Sequence, residues 1–128
     1  MTQEDKDLLL KDLCARLPYG VICEDGYGNI AELIGIDKPN IATFKCATKS
    51  FWTTNLDECK PYLFPLSSMN EEQKIIYGDL CYAVINSLAW ETHKVLNELV
   101  DWLDKNCFDH RGLIGKGLAI NATNLNIY

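Results

Sequence analysis

The spacing of apolar residues changes twice along this 128-residue chain, and these changes limit the possible folds more than any single motif. Up to residue 17, apolar residues recur every three or four positions, as on one face of a helix. From Val21 to Asn55 they form short β-rich runs separated by turns, and after residue 69 the helical spacing returns. The pattern predicts an α+β fold, with an N-terminal helix, a small antiparallel β-meander and a helical C-terminal half.

The first helix is predicted over about residues 3 to 16. Thr2 and Asp5 have the spacing of a capping box, while Pro18 and Gly20 end the helical pattern. The face predicted to be buried carries Leu9, Leu10, Leu13, Cys14 and Leu17.

Four strands are predicted between Val21 and Asn55, separated by the turn sequences EDGYG, KPN and ATKS. Alternation is imperfect, because Ile22 shares a face with Glu24 although Val21 and Cys23 occupy the other. A curled sheet, such as a small SH3-like partial barrel, would explain an apolar residue on the outer face.

The segment PYLFPL contains prolines at positions 61 and 65, which argues against a regular inner strand. We interpret it as an apolar strap that packs the sheet against the helices through Tyr62, Leu63, Phe64 and Leu66. An exposed aromatic docking edge is the alternative. Ser68 and Glu71 then form a predicted capping box that opens the helical half.

Residues 69–106 carry apolar residues at broadly helical spacing. One continuous helix of this length would extend ~57 Å at about 1.5 Å per residue, which is too long for a compact domain of this size. We therefore expect a break between Asn86 and Thr92, with Thr92 as the new cap. An unbroken helix would instead point to a homodimer.

Composition excludes several classes of protein. The net charge of −6 argues against a general nucleic-acid binder. The acidic N-terminus does not resemble a secretory signal, and no apolar run approaches 18 residues, so we expect a cytoplasmic protein without membrane contact. The absence of repeats and low-complexity linkers indicates a single domain over residues 1–128.

The six cysteines lack the short spacings that are typical of zinc sites. We expect buried free thiols that pack as small hydrophobic residues, with disulfides and a metal site as the less favoured alternatives. No metal ligand or cofactor-binding residue is predicted. The sequence GLIGKG lacks the Ser or Thr of a P-loop, and His93 has no partner at helical ligand spacing.

Asp109, His110 and Arg111 form the most conspicuous polar cluster, directly after the last predicted helix. Catalysis would require His110 to act as a base beside a nucleophile, for which one of the cysteines would have to lie close by. The simpler interpretation is that Asp109 caps the next turn and Arg111 braces the acidic helix ends. We therefore predict no catalytic residue and no enzymatic activity.

A lysine-rich and aromatic sheet face is the nearest feature to a nucleic-acid surface. It combines Lys38, Lys45, Lys49 and Lys60 with Phe44, Phe51 and Trp52. Strand lysines also guard sheet edges against pairing with other chains. The predicted interaction surface comprises Lys45, Lys49, Phe51, Trp52, Tyr62 and Phe64.

Three blocks of the sequence carry a family resemblance: LLLKDLCARLPYGV, KPYLFPLSSMNEEQK and FDHRGLIGKGLAINATNLNIY. They resemble a family of small uncharacterised proteins from Bacteroides-type gut bacteria and their phages and prophages. The chain departs from that family at His110, where a tyrosine is common, which weakens any catalytic role for the histidine.

The resemblance implies a cytoplasmic protein of a phage or integrated element and no particular reaction. We expect a non-enzymatic accessory or protein-interaction module with an unidentified protein partner. By this expectation, the sheet and the C-terminal segment ATNLNIY provide most of the contacts. A nucleic-acid-associated accessory protein that uses the lysine and aromatic face is the alternative.

Overall fold

An N-terminal helix, a mixed sheet and a helical hairpin follow one another along the chain, and the fold class is α+β, as predicted. The structure is a computed structural model that describes residues 1–37, 40–46 and 50–128. The helices are α1 (Gln3–Arg16), α2 (Glu71–Ile85) and α3 (Thr92–Lys105). The strands are β1 (Ile22–Glu24), β2 (Ile30–Asp37), β3 (Ile41–Lys45), β4 (Phe51–Asn55), β5 (Lys60–Pro65), β6 (Phe108–Asp109) and β7 (Ile120–Asn121).

Helix α1 begins at the predicted capping box. The Thr2 hydroxyl accepts a hydrogen bond from the Asp5 backbone N–H at 3.1 Å, and the Asp5 carboxylate accepts one from the Thr2 N–H at 3.3 Å. Its buried face differs from the predicted one. Cys14 is exposed, whereas Asp12 and Arg16 are fully buried beside the leucines. This buried face is partly ionic, because Asp12 and Arg16 bind each other and also contact Arg111 and the Phe108 carbonyl.

The predicted meander is confirmed, since β1 to β4 pair antiparallel in sequence order. The first turn is organised by the buried carboxylate of Asp25, which accepts hydrogen bonds from the backbone N–H groups of Tyr27 and Asn29 at 2.8 and 3.1 Å. Gly26 and Gly28 have φ values of 87° and 88°, which permit this tight reversal. The other two predicted turns include residues 38–39 and 47–49, outside the described part of the chain.

The interpretation of PYLFPL as a strap is wrong, because this segment forms β5, an inner strand between β1 and β6. Its pairings are only two residues long on each neighbour, so the two prolines do not interrupt a long ladder. The Phe64 N–H donates to the Cys107 carbonyl, and the Leu63 carbonyl accepts from Ala122 N–H, each at 2.8 Å.

Strands β6 and β7 both run parallel to β5, which brings the C-terminal residues into the sheet. The strand order is β4-β3-β2-β1-β5-β6, with β7 also on β5. In the described ranges no pairing joins the end strands β4 and β6, so the sheet is open there and not closed into a barrel.

The predicted helix break is confirmed, since α2 and α3 are separate antiparallel helices joined by residues 86–91. Tyr77 of α2 stacks on Trp102 of α3 with ring centroids 6.4 Å apart. The caps differ from the prediction. Asn70, not Ser68, forms the capping box of α2 with Gln73, and Thr92 lies inside α3, one residue after its N-cap. None of the helices in the described segments is long and apolar enough to cross a bilayer.

The main core lies between α1 and the sheet. Its largest fully buried apolar side chains are Leu9, Leu13, Val21, Leu33, Phe44, Leu56, Leu63 and Leu113. A smaller apolar group, Met69, Leu103 and Phe108, anchors α3 to the end of β5. Helix α2 contributes no fully buried residue to either group, so it packs through one half-buried side only.

Candidate interaction surface and buried ionic cluster

The polar turn after α3 performs the structural role predicted for it. The Asp109 carboxylate accepts hydrogen bonds from the backbone N–H groups of Leu113 and Ile114, each at 2.9 Å. Asp109 therefore caps the following turn and points away from its sequence neighbour His110. An Asp109–His110 catalytic pair is not formed.

His110 and Arg111 instead join a buried ionic cluster, which we define as Asp12, Arg16, Asp104, His110 and Arg111. The Arg111 guanidinium contacts Asp12 at 2.8 Å and both carboxylate oxygens of Asp104 at 2.9 and 3.2 Å. His110 Nε2 lies 2.8 Å from Asp104 Oδ1. The cluster links α1, α3 and the turn after β6.

Arg16 is the fully buried arginine of the ionic cluster. Its Nε donates to Asp12 at 2.9 Å, and its Nη2 donates to the Phe108 carbonyl at 2.7 Å while lying 3.8 Å from Asp104. Its Nη1 is buried without a hydrogen-bond partner in the described part of the chain. Two carboxylates thus face two guanidinium groups, which balances the buried charge.

The pKa values in the ionic cluster follow from these contacts. Burial raises the pKa of Asp104, but hydrogen bonds from His110 and Arg111 outweigh burial and hold this pKa below its ordinary value. For Arg111, burial alone would lower the pKa. Its hydrogen bonds to Asp104 and Asp12 outweigh burial and raise the pKa above its ordinary value. Both shifts favour the charged forms, as expected of a structural ion-pair network.

The contacts of His110 are those of a bracing residue. Its ring nitrogen contacts an acid already bound to an arginine, and no hydrogen bond to a thiol or hydroxyl is seen for it in the described ranges. Within the described residues, His110 therefore lacks the hydrogen-bonded nucleophile that a covalent mechanism requires.

The cysteines are less uniform than predicted. Cys23, Cys59 and Cys107 are buried, but Cys14 is exposed and Cys46 and Cys81 are half-buried. Burial raises the pKa of Cys23 well above its ordinary value and that of Cys59 to about 12. The buried thiols are therefore protonated and unreactive near neutral pH. Across the described residues, no group of three or more His, Cys, Asp or Glu side chains could hold a metal ion.

The predicted sheet face is only partly assembled. Lys45 and Phe51 are exposed and directly opposite each other on β3 and β4. Trp52 points the other way, packs on buried Phe44 with ring centroids 6.0 Å apart, and donates its indole N–H to Asp25 at 2.9 Å. Because Trp52 is anchored in this way, it is not a free stacking platform. Lys38 and Lys49 lie outside the described residues.

The remaining predicted contact residues, Tyr62 and Phe64, are not exposed. Tyr62 is buried, and its phenol lies 3.4 Å from the Glu24 carboxylate, which corrects the expectation that it lies on an exposed surface. Phe64 is half-buried against the rings of Phe108 and Tyr128, at centroid distances of 6.4 and 5.8 Å. The alternative of an aromatic docking edge on this segment is therefore not supported.

The C-terminal segment closes over this strand. The Tyr128 hydroxyl accepts from the Ile22 N–H at 3.0 Å and donates to the Tyr62 carbonyl at 2.8 Å. Burial of this hydroxyl raises the pKa of Tyr128. Ile127 and Ile22 line an open cleft of about 490 Å³, which Glu32 and Lys45 also line, so this part of the outer sheet face is mixed in polarity. The C-terminal residues thus pack beside Ile22, the position that suggested a curled sheet.

A group of exposed large apolar side chains lies on the helical hairpin, where the sequence analysis placed no interaction surface. We call it the hairpin surface and define it as Ile75, Tyr82, Ile85, Leu88 and Trp90. These side chains are between 58% and 80% exposed. Ile75, Tyr82 and Ile85 follow one another along one side of α2, and Leu88 and Trp90 lie in the connection to α3.

The sequence did contain a signal for this surface. Apolar residues surround α2 on all sides, since Ile75, Ile76 and Tyr77 are consecutive and residues 80–85 are all apolar. Such a helix is normally covered all round. Only the side near Tyr77 and Leu80 packs on α3, so the opposite side is left without a cover within the described structure.

No protein-family model, curated protein sequence or solved structure matches this chain.

Proposed function

We propose that this chain is a non-enzymatic protein-interaction module that binds a protein partner through the hairpin surface. The observation that carries the proposal is the exposure of Tyr82, Ile85 and Trp90, which are 69%, 80% and 80% exposed. Contiguous large apolar residues in water are costly and are typical of interaction sites. Tyrosine and tryptophan are also the residues that most often dominate binding energy.

Burial of such side chains would supply a substantial binding free energy. Fully covering an Ile or a similar large apolar side chain is worth roughly 1.5–3 kcal/mol before the costs of association. Several of them on one stripe are sufficient for specific binding, provided that the partner is complementary in shape. The polar groups of the ionic cluster are engaged with one another, which supports a binding role over a catalytic one.

The accessory role in a phage or mobile element is part of this proposal. It rests on the motif resemblance of the LCARLPYGV, KPYLFPLSSM and GLAINATNLNIY blocks. Much of that sequence forms β5 and the segments around it, which position the hairpin through Phe64 and Phe108. Under this proposal the recognisable blocks build the scaffold and the hairpin contacts the partner.

Site-specific photo-crosslinking in the cells that naturally produce the protein tests the proposal. A photoreactive phenylalanine analogue in place of Trp90 or Tyr82 should give discrete protein adducts. The same analogue in place of Tyr27, which is 76% exposed on the sheet side, is the control and should give none. Equal labelling from Tyr27, or no adduct from either hairpin position, would remove the hairpin surface as the binding site.

A further inference from the structure

We infer that the partner presents a basic amphipathic segment, with apolar side chains that cover the hairpin surface and flanking Lys or Arg side chains. This inference deepens the proposed function and rests on it. Two features of the hairpin support it: an elongated apolar stripe along α2 and an acidic rim beside that stripe.

The stripe has the geometry of a helix-binding face. Gln73, Tyr77 and Val84 are half-buried on the side towards α3, whereas Ile75, Gly78 and Tyr82 succeed one another at spacings of three and four on the opposite side. A Cβ added at Gly78 would meet no atom within 4 Å. Gly78 therefore leaves a shallow depression between two large side chains, into which a ridge of another helix can pack.

The charges beside the stripe are mostly negative. Glu71, Glu72 and Asp79 are exposed on α2, and Lys74 lies 3.3 Å from Glu71, which leaves Glu72 and Asp79 without a basic partner among the described residues. Apart from Asp104, which is buried in the ionic cluster, residues 71–105 carry six acidic and three basic side chains, a net charge of −3. The hairpin therefore has a net negative surface.

This distribution favours a basic partner over a second copy of the chain. A two-fold interface places the same patch opposite itself. If two α2 helices crossed antiparallel with Ile75 opposite Tyr82, the midpoint would fall between Gly78 and Asp79. The two Asp79 carboxylates would then lie close together, and like charges at that distance oppose association. An anionic bilayer would be repelled by the same rim.

Fluorescence anisotropy with two synthetic probes tests the inference on the full chain. One probe is an 18-residue amphipathic Leu/Lys peptide, and the other is a Leu/Glu peptide with the same apolar pattern. The Leu/Lys peptide should bind at least tenfold more tightly, and its affinity should fall when salt is raised from about 50 to 300 mM because screening weakens surface charge pairs.

Matched variants separate the apolar and ionic contributions. Tyr82→Asn with Ile85→Asn should weaken Leu/Lys binding at least tenfold, whereas Tyr27→Asn should not change it. Glu72→Gln with Asp79→Asn should weaken binding about threefold or more, while the same charge change on α1, Glu4→Gln with Asp7→Asn, should have no effect. Circular dichroism of each variant checks that the fold is retained.

Four outcomes would overturn the inference. The first two are that both peptides bind equally and that the α1 and α2 charge variants have equal effects. The third is that the chain forms a concentration-dependent dimer in sedimentation experiments and that Tyr82→Asn abolishes this dimer. The fourth is that the chain binds anionic vesicles more strongly than it binds the Leu/Lys peptide. If photo-adducts from position 90 persist while the Leu/Lys peptide fails, the protein-binding function stands and the basic chemistry of the partner is refuted.

Discussion

The guanidinium group of Arg111 spans the carboxylate of Asp104, with Nη1 at 2.9 Å from one oxygen and Nη2 at 3.2 Å from the other. The same Nη1 also contacts Asp12 of α1 at 2.8 Å. One side chain in the turn after β6 therefore connects two helices that are far apart in sequence. The contact holds the end of α3 against α1, because α3 carries Asp104 in its last turn.

Removal of Asp12 should destabilise the fold strongly. Asp12→Ala leaves Arg16 fully buried without the carboxylate that accepts its hydrogen bond, and the loss of one member of a buried pair costs about 3–5 kcal/mol. Urea denaturation at pH 7 measures the change in free energy of unfolding. The control is Asp7→Ala, an exposed acid on the same helix, which should change stability by no more than about 0.5 kcal/mol. Similar losses for both variants would contradict the assigned role of the ionic cluster.

Asp104 should make the protein sensitive to acid. The pKa of Asp104 in the folded state lies below its ordinary value. The contribution of Asp104 to the free energy of unfolding is therefore fully present above about pH 4, the pKa in the unfolded chain, and is lost as the pH falls through the lower folded pKa. In Asp104→Asn this part of the pH dependence should disappear, although stability at pH 7 is reduced. Unfolding free energies measured between pH 2 and 7 check this. An unchanged slope below pH 4 would refute it.

The six thiols should differ widely in reactivity. Exposed Cys14 should react first with a thiol reagent at pH 7.5, whereas buried Cys23 and Cys59 should react only on unfolding, because burial raises the pKa of both thiols. Mass spectrometry of peptides after timed labelling provides the measurement. Rapid labelling of Cys59 in folded protein would contradict its burial.

The same two buried thiols predict a loss of stability in alkali. The pKa values of Cys23 and Cys59 are raised in the folded state. Their contribution to the free energy of unfolding is therefore fully present below the unfolded thiol pKa of about 8.5, and it declines as the pH rises towards the folded pKa values. Cys59→Ser should reduce this decline between about pH 8.5 and 10.5. If the unfolding free energy of that variant declines with pH as steeply as that of the wild type, other groups cause the decline.

The exposed stripe should be dispensable for folding. Tyr82→Asn with Ile85→Asn should change the free energy of unfolding by no more than about 0.5 kcal/mol, because α2 has no fully buried residue. Leu103→Ala, in the buried face of α3, should cost about 2–5 kcal/mol. A large loss in the α2 variant would show that these side chains support the fold, which would weaken the proposed function.

Features governed by neighbouring residues could be predicted from the sequence. Thr2 caps α1, Gly26 and Gly28 permit the first hairpin turn, and the chain breaks between α2 and α3 close to the predicted position. Each depends on contacts within a few residues, or on the limited length of helix that a domain of this size accommodates. The α+β class follows from the same local patterns.

Only the tertiary structure determined which faces are covered. Arg16 is buried because its partners, Phe108 and Asp104, lie about ninety residues away, and no local pattern encodes that proximity. Strand β5 is an inner strand because β1 and the C-terminal strands meet on it. The stripe around Tyr82 and Trp90 is exposed because α3 covers only one side of an apolar helix. The sequence determines which residues are apolar, but burial also depends on which other elements are available to cover them.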